Sequence, residues 1–269
     1  MALIGARRAL LSGGAWSPRL LGGQALVWVD FSDAAGLDLS AGNVAGARNK
    51  GAAGGVFAQA TASKRPALVS AGPGGRAYAS FDGVDDVLVC PAVTIAPAST
   101  LWMLAVHRRT AVAYGGLIST TNQAASGFGF PYAGTSNAYD WIANNVYAFG
   151  NGYQTGRAPR TIVQTPPSST DTLWHALSVS LGPVPAAELD GNVRTLRTSA
   201  GGAVPAYTGQ LLIGALTQTT EFFAGSIAEV LIVADPTRDQ IDRATGYVCW
   251  KYGLQALMPA THPYRWRRP

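Results

Sequence analysis

The stretch FDGVDDVLV, residues 81–89, sets three carboxylates, Asp82, Asp85 and Asp86, just ahead of an apolar run. Three chemistries suit such a stretch: a metal site, a catalytic acid pair, or a turn between strands. The residues leading into it, RAYASFDG (76–83), alternate, with Ala77, Ala79 and Phe81 on one face and Tyr78 and Ser80 on the other. That is the period of a half-buried strand. Asp and Gly then supply turn chemistry, because an Asp side chain bonds nearby backbone amides and Gly83 tolerates positive φ. The stretch predicts the turn of a hairpin, in which the three acids do not all converge. Calcium is the ion their oxygens suit, since it takes roughly six to eight of them; the EF-hand spacing, with its distant Glu, is absent.

Strand signals continue on both sides of this turn. ALVWVDFSD (25–33) is β-branched and aromatic and ends in turn residues, whereas Ala34 to Lys64 is rich in Gly, Ala and Asn and holds at most short strands. STLWMLAVHRR (99–109) is nearly all apolar, as a central strand buried on both faces would be. TLWHALSVSL (172–181), GQLLIGAL (209–216) and FFAGSIAEVLIV (222–233) are further strands. Within AELDGNVRTL (187–196), Asp190-Gly191 is the clearest hairpin turn, since both residues accept positive φ. Strand after strand at this spacing means a sandwich or barrel.

One helix closes the chain. Asp235 is a candidate N-cap, Pro236 suits the first helical position and Gly253 the stop, which predicts a helix over 236–252. Ile241, Ala244, Val248 and Tyr252 share its inner face. Trp250 falls on the opposite face beside Gly246, to be covered by the C-terminal tail or by another subunit.

Composition agrees with one all-β domain. The chain has 269 residues, 32 Gly, 16 Pro and only 13% charged residues, too apolar for disorder and long enough for a single large core. The formal charge of +5 does not form a basic stripe interleaved with aromatics, so no nucleic-acid partner is expected. The basic residues gather at the ends instead. No apolar stretch is long enough for a membrane span. Cys90 and Cys249 are expected to be two separate buried thiols. The opening MALIGARRALLSGGAWSPRL (1–20) has its apolar run broken by Ser12, Gly13 and Gly14, a poor secretory signal. The predicted organisation is an N-terminal arm (1–23), a domain over 24–254 and a basic C-terminal tail (255–269).

VWVDFSDAAGLDLS (27–40), FDGVDDVLV, WHALSVSL (174–181), ELDGNV (188–193), LLIGA (211–215), FFAGSIAEVLIV and GYVCWKYGL (246–254) followed by LMPATHPY (257–264) occur in that order. Together they resemble the concanavalin A-like lectin/glucanase domains related to laminin-G modules, over roughly residues 25 to 264. The resemblance implies an all-β, concanavalin A-like jelly-roll sandwich of two antiparallel sheets with one C-terminal helix. Such domains occur in bacterial surface proteins and in structural proteins of tailed phages. A short chain with arms at both ends and no export signal looks more like the phage case.

Catalysis finds little support in the residues. Glucanases of this superfamily carry Glu-x-Asp-x-Glu on one strand, and Glu188, Glu221 and Glu229 are not spaced that way. His107 and His175 sit within apolar strands, His262 lies in the tail, and there is no Gly-x-Ser-x-Gly elbow. The chain is therefore expected not to be an enzyme, with a glycan hydrolase or lyase the least favoured alternative. It is expected to need no cofactor, with Ca2+ at Asp82, Asp85 and Asp86 as the option.

Sugar binding has ingredients between Phe128 and Tyr153. Tyr132, Tyr139, Trp141 and Tyr147 offer aromatic platforms, with Asn144 and Asn145 as hydroxyl partners, although such rings also suit a sandwich core. The function expected is a non-enzymatic phage or phage-like virion protein of head or tail, presenting a lectin-like domain and binding host surface polysaccharide. A secreted or cell-surface carbohydrate-binding module is the alternative. Its partners would be other virion proteins and copies of itself, with Arg7, Arg8, Trp16 and Arg19 of the arm as the anchor.

Overall fold

The computed structural model describes residues 16–110, 115–120, 128–133, 146–151, 161–164, 172–194, 196–198, 204, 206–216 and 218–269, with 128–133, 146–151, 161–164 and 196–198 as backbone. Its strands are β1 (Ala25–Asp30), β2 (Leu37–Ser40), β3 (Asn43–Arg48), β4 (Val56–Ala58), β5 (Ala67–Val69), β6 (Tyr78–Asp82), β7 (Leu88–Ile95), β8 (Leu101–Arg109) and β9 (Gly116–Thr120). They continue with β10 (Phe128–Ala133), β11 (Val146–Asn151), β12 (Thr161–Gln164), β13 (His175–Leu181), β14 (Ala186–Leu189), β15 (Asn192–Val193), β16 (Leu196–Thr198), β17 (Tyr207–Ile213) and β18 (Ala224–Ala234).

All pairings among them are antiparallel, and they form two main sheets. In the first, β14 pairs β13, β13 pairs β8 and β8 pairs β18. The other edge of β18 is shared, with β6 along its first half and β1 along its second. In the second sheet β7, β17, β9, β10, β11, β12 and β16 pair in that order. The short strands β2 to β5 pair among themselves and tie onto β6 and β7.

The apolar runs are continuous in the first sheet because both of its faces are covered. Along β8, Leu101, Met103 and Ala105 enter the core between the sheets. Trp102, Leu104 and Val106 enter a second core beneath the helix. β18 divides the same way, with Val230 and Ile232 facing the sandwich and Leu231 and Val233 the helix. Each buried Leu, Met, Val or Ile side chain among them contributes roughly 1.5–3 kcal/mol. Cys90 lies in the first core and Cys249 in the second, both as free thiols.

The helix runs Arg238–Lys251, so the expected start over 236–252 shifts inward. Thr237 is the N-cap, in a capping box with Gln240. Asp235 is drawn elsewhere: with φ of 46° it accepts from the Thr100 amide at 2.7 Å and ties the end of β18 to the start of β8. Ala244, Val248 and Tyr252 are buried as the helical spacing predicts, with Ile241 packed at the edge. At the far end Gly253 takes φ of 72°, and the Leu254 amide reaches back to the Cys249 carbonyl at 2.7 Å, a Schellman stop.

Trp250 is covered by the chain's own tail. Its Nε1 donates to the Tyr264 carbonyl at 2.7 Å, and a Cβ on Gly246 would lie 2.6 Å from that of Tyr264. Met258, His262 and Tyr264 are buried, so the tail is built onto the helix. At the other end Trp16 and Leu21 are buried in the helix-side core, which makes the chain from Trp16 onward part of the sandwich.

Candidate functional site

Residues 81–89 do not form a hairpin. β6 pairs β5 and β18, whereas β7 pairs β4 and β17, so the turn at 83–87 carries the chain from one sheet to the other. Asp82 Oδ1 accepts from the amides of Val84 at 2.8 Å and Asp85 at 3.3 Å, and Gly83 has φ of 79°. The chain curls until the Asp86 carboxylate accepts from the Asp82 amide at 2.9 Å. That curl corrects the expectation that the acids stay apart: one oxygen from each of Asp82, Asp85 and Asp86 lies within 4.8 Å of the others. Burial, together with the charges of Asp82 and Asp85, pushes the Asp86 carboxyl up to about 6, against the pull of the Asp82 amide. As hard oxygens the three suit Ca2+, and they offer part of the shell it needs.

A larger feature lies on the helix side of the first sheet. There a cleft of about 660 Å³ is bounded by the N-terminal segment at Trp16 and Arg19, β1, the loop at Lys50, the loop at Gly74 and Arg76, and the end of the helix. Its floor follows from a register and a bulge. β1 and β18 set Asp30 directly opposite Glu229, two like charges that destabilise a sheet unless something compensates them. The β18 register against β8 slips between Ile227 and Glu229. Such a bulge places two successive residues on one side, and here Ala228 and Glu229 both face the helix.

Lys251, on the last turn of the helix, supplies the compensation. Its Nζ lies 2.8 Å from Asp30 Oδ2 and 2.7 Å from Glu229 Oε2. Glu229 is wholly buried and also accepts from Trp28 Nε1 at 2.7 Å and the Tyr252 hydroxyl at 2.9 Å. Lys50 lies 3.0 Å from Asp30 Oδ2, 3.1 Å from Asp33 Oδ2 and 3.9 Å from the centre of the Trp28 ring. Ser32 donates to Asp30 Oδ1 through its hydroxyl at 2.7 Å and its amide at 3.0 Å. Burial alone would raise the Asp30 carboxyl, but Lys251, Ser32 and Lys50 outweigh it and hold the group at about 2. Glu229 is pushed up by its complete burial, with Lys251 opposing. Tyr247 and Tyr252 are pushed up by burial and by the two acids, and remain hydroxyl donors.

The cleft's rim differs from its floor. Arg19, Arg76 and Arg268 are exposed, and among the described residues no carboxylate lies within ion-pair distance of them. Trp16 stands edge-on to Tyr247 with ring centres 5.8 Å apart. Gly74 makes the rim possible: it has φ of 59°, and a Cβ there would lie 2.6 Å from the Lys251 carbonyl.

The residues expected from sequence are distributed unevenly over this picture. Trp16 and Arg19, expected in an anchoring arm, line the cleft, while Arg7 and Arg8 lie outside the described residues. Tyr139, Trp141, Asn144 and Asn145 lie outside them as well. Tyr132 and Tyr147 are described as backbone, with Tyr132 paired to Ala148 and Tyr147 to Ala133. His175 is tied to the Asp190 turn, its Nδ1 lying 2.6 Å from Asp190 Oδ2. That turn has φ of 54° and 76° at Asp190 and Gly191, as a two-residue hairpin requires. Asp30, Lys50, Glu229 and Lys251 were not singled out as a group. A glutamate inside the apolar run from Ile227 to Ala234 of the eleven-residue β18 is the available signal.

No protein-family model matches the sequence, and no curated protein does. Solved structures do match in fold. An arabinofuranosidase complexed with arabinofuranosyl-alpha-1,2-xylobiose superposes with a TM-score of 0.55 at 14% identity, over 85% of this chain and 59% of that one. Domain 4 of AbnA, a GH43 extracellular arabinanase from Geobacillus stearothermophilus, in complex with arabinotriose, gives 0.53 at 12% identity, over 81% of this chain and 96% of that domain. With the two antiparallel sheets and the single long helix among the described residues, these show an antiparallel β-sandwich of the jelly-roll kind.

Proposed function

We propose that this protein is a non-enzymatic, lectin-like jelly-roll module that binds host surface glycan as a component of a phage or phage-like virion. One observation carries the binding reading: a cleft of about 660 Å³ whose wall mixes aromatic rings with charged and hydroxyl groups, the size of a small-molecule site. The fold likeness to a domain solved in complex with arabinotriose supports the same ligand class.

The acids of the cleft support binding over hydrolysis. A glycosidase needs one carboxyl free to protonate a leaving group and another free to act on the sugar or on water. Glu229 is wholly buried with both oxygens engaged, and Asp30 and Glu229 share one lysine ammonium. The reading requires no cofactor; Ca2+ at the Asp82–Asp86 turn would act on that turn alone.

The virion setting rests on the ordered motifs that resemble concanavalin A-like domains, a type that occurs in structural proteins of tailed phages as well as in bacterial surface proteins. In it the partners are other virion proteins and further copies of this chain, and residues 1–15, with Arg7 and Arg8, form the anchor to head or tail. A carbohydrate-binding module at a cell surface or secreted from the cell is the alternative setting. Deleting residues 2–14, which spares the buried Trp16, is expected to leave the thermal transition unchanged and abolish incorporation into particles. Normal incorporation would refute the anchoring role. Binding itself is tested by retention of the protein on host surface polysaccharide; no retention on any would refute the lectin reading. If Trp141→Ala retains full binding, the 128–153 region is not the sugar site.

A further inference from the structure

We infer that the helix-side cleft is a site for an acidic saccharide, one whose sugar unit carries a carboxylate. The inference rests on the carbohydrate-binding reading and assigns it a place and a charge. The acids lining the cleft and the one buried beneath it are already matched: Lys251 bridges Asp30 and Glu229, and Lys50 bridges Asp30 and Asp33. The guanidiniums are not. Arg19, Arg76 and Arg268 stand at the rim with no carboxylate in ion-pair reach among the described residues. A guanidinium is a planar fork of donors that fits a carboxylate with two parallel bonds, the stronger kind of charge-assisted contact. Three such forks around one cleft favour an anionic occupant.

The remaining wall chooses a sugar over a bare anion. Trp16 and Tyr247 set apolar ring surface beside the guanidiniums, which suits the C–H faces of a pyranose. Ser32 and Asp33 also border the cleft and offer hydroxyl and carboxylate oxygens to sugar hydroxyls. The volume of about 660 Å³ exceeds what a small inorganic anion fills and lies within the usual range for a small organic ligand. The floor is rigid, because every charge on it is tied to at least one other element: Lys251 from the helix, Asp30 from β1, Glu229 from β18, Lys50 from the following loop. The occupant would therefore meet a preformed cleft.

The test uses the full chain and an array of neutral and uronate- or sialate-bearing oligosaccharides, followed by calorimetric titration of the best acidic ligand and its methyl ester. The ester lacks the carboxylate charge and adds one methyl group. The expected result is that the acid binds about tenfold or more tightly than the ester and that added salt narrows the gap. Arg19→Gln/Arg76→Gln, both at exposed positions, is expected to lose that preference while keeping the wild-type melting temperature, and Trp141→Ala is expected to keep it. Equal binding of acid and ester, or a preference that survives Arg19→Gln/Arg76→Gln and disappears in Trp141→Ala, would overturn the inference while leaving the lectin reading intact. Binding to no saccharide on the array would overturn both.

Discussion

Two acidic groupings in this molecule are built from the same residue types and end in opposite electrical states. At the Asp82–Asp86 turn three carboxylates converge with no basic side chain paired to them among the described residues, and the most buried, Asp86, is pushed up to about 6. At the cleft floor Asp30 and Glu229 face each other across a sheet with Lys251 and Lys50 between and beside them, and Asp30 is held at about 2. Both groupings lose solvation. What separates them is whether another element delivers an ammonium. The first is turn chemistry that tolerates a protonated acid; the second is an ionic brace that fixes β1, β18 and the helix relative to one another beneath a ligand-sized cleft.

The largest effect is expected from removing the cation. Lys251→Met leaves Asp30 and Glu229 opposed and buried, and should cost about 3–5 kcal/mol of unfolding free energy, measured in denaturant at pH 7. Adding Glu229→Gln to that variant should recover part of the loss. A loss under about 1 kcal/mol would mean that the brace carries no such weight.

Asp30→Asn comes next. The folded pKa of Asp30 lies below its ordinary value, so its contribution is present above about 4 and disappears as pH falls through about 2. The substitution should cost about 2 kcal/mol at pH 7, and the gap from wild type should close near pH 2. A gap independent of pH would contradict that assignment.

Asp86→Asn should move stability the other way and by less. The folded pKa of Asp86 is raised, so the wild type is favoured below about 4 and loses that contribution as pH rises through about 6. Asn keeps an acceptor for the Asp82 amide, and solvent screens this partly exposed turn, so the variant should gain only about 1 kcal/mol at pH 8, a fraction of what the raised pKa alone implies, and nothing at pH 4. If the turn holds Ca2+, millimolar Ca2+ should raise the wild-type melting temperature and leave Asp86→Asn unmoved. An equal response in both proteins would remove the ion from this turn.

Local signals were legible where local physics decides. The Asp190-Gly191 turn, the inner helix face at Ala244, Val248 and Tyr252, and the doubly buried strands β8 and β18 could all be read from residue types and spacing. The helix start slipped because Asp235 and Thr237 are both good caps, and a long-range bond to the Thr100 amide claims the first. FDGVDDVLV was misread as a hairpin because a turn that joins paired strands and one that crosses between sheets use the same Asp and Gly. Only the distant partners β17 and β18 distinguish them.

The cleft was illegible for a related reason. Asp30 and Lys251 stand at opposite ends of the sequence, and Glu229 reaches them because of a one-residue bulge that interrupts the alternation of β18. Trp16 and Arg19 stand in the sequence as part of a basic arm, yet the fold makes them line the cleft.

The most direct test of the account is a crystal structure of the full chain with an acidic oligosaccharide that binds it. The account predicts sugar density between Trp16, Tyr247 and Arg76, with the carboxylate on the rim guanidiniums and Lys251 still bridging Asp30 and Glu229. Density on the 128–153 region with the cleft unfilled would contradict it.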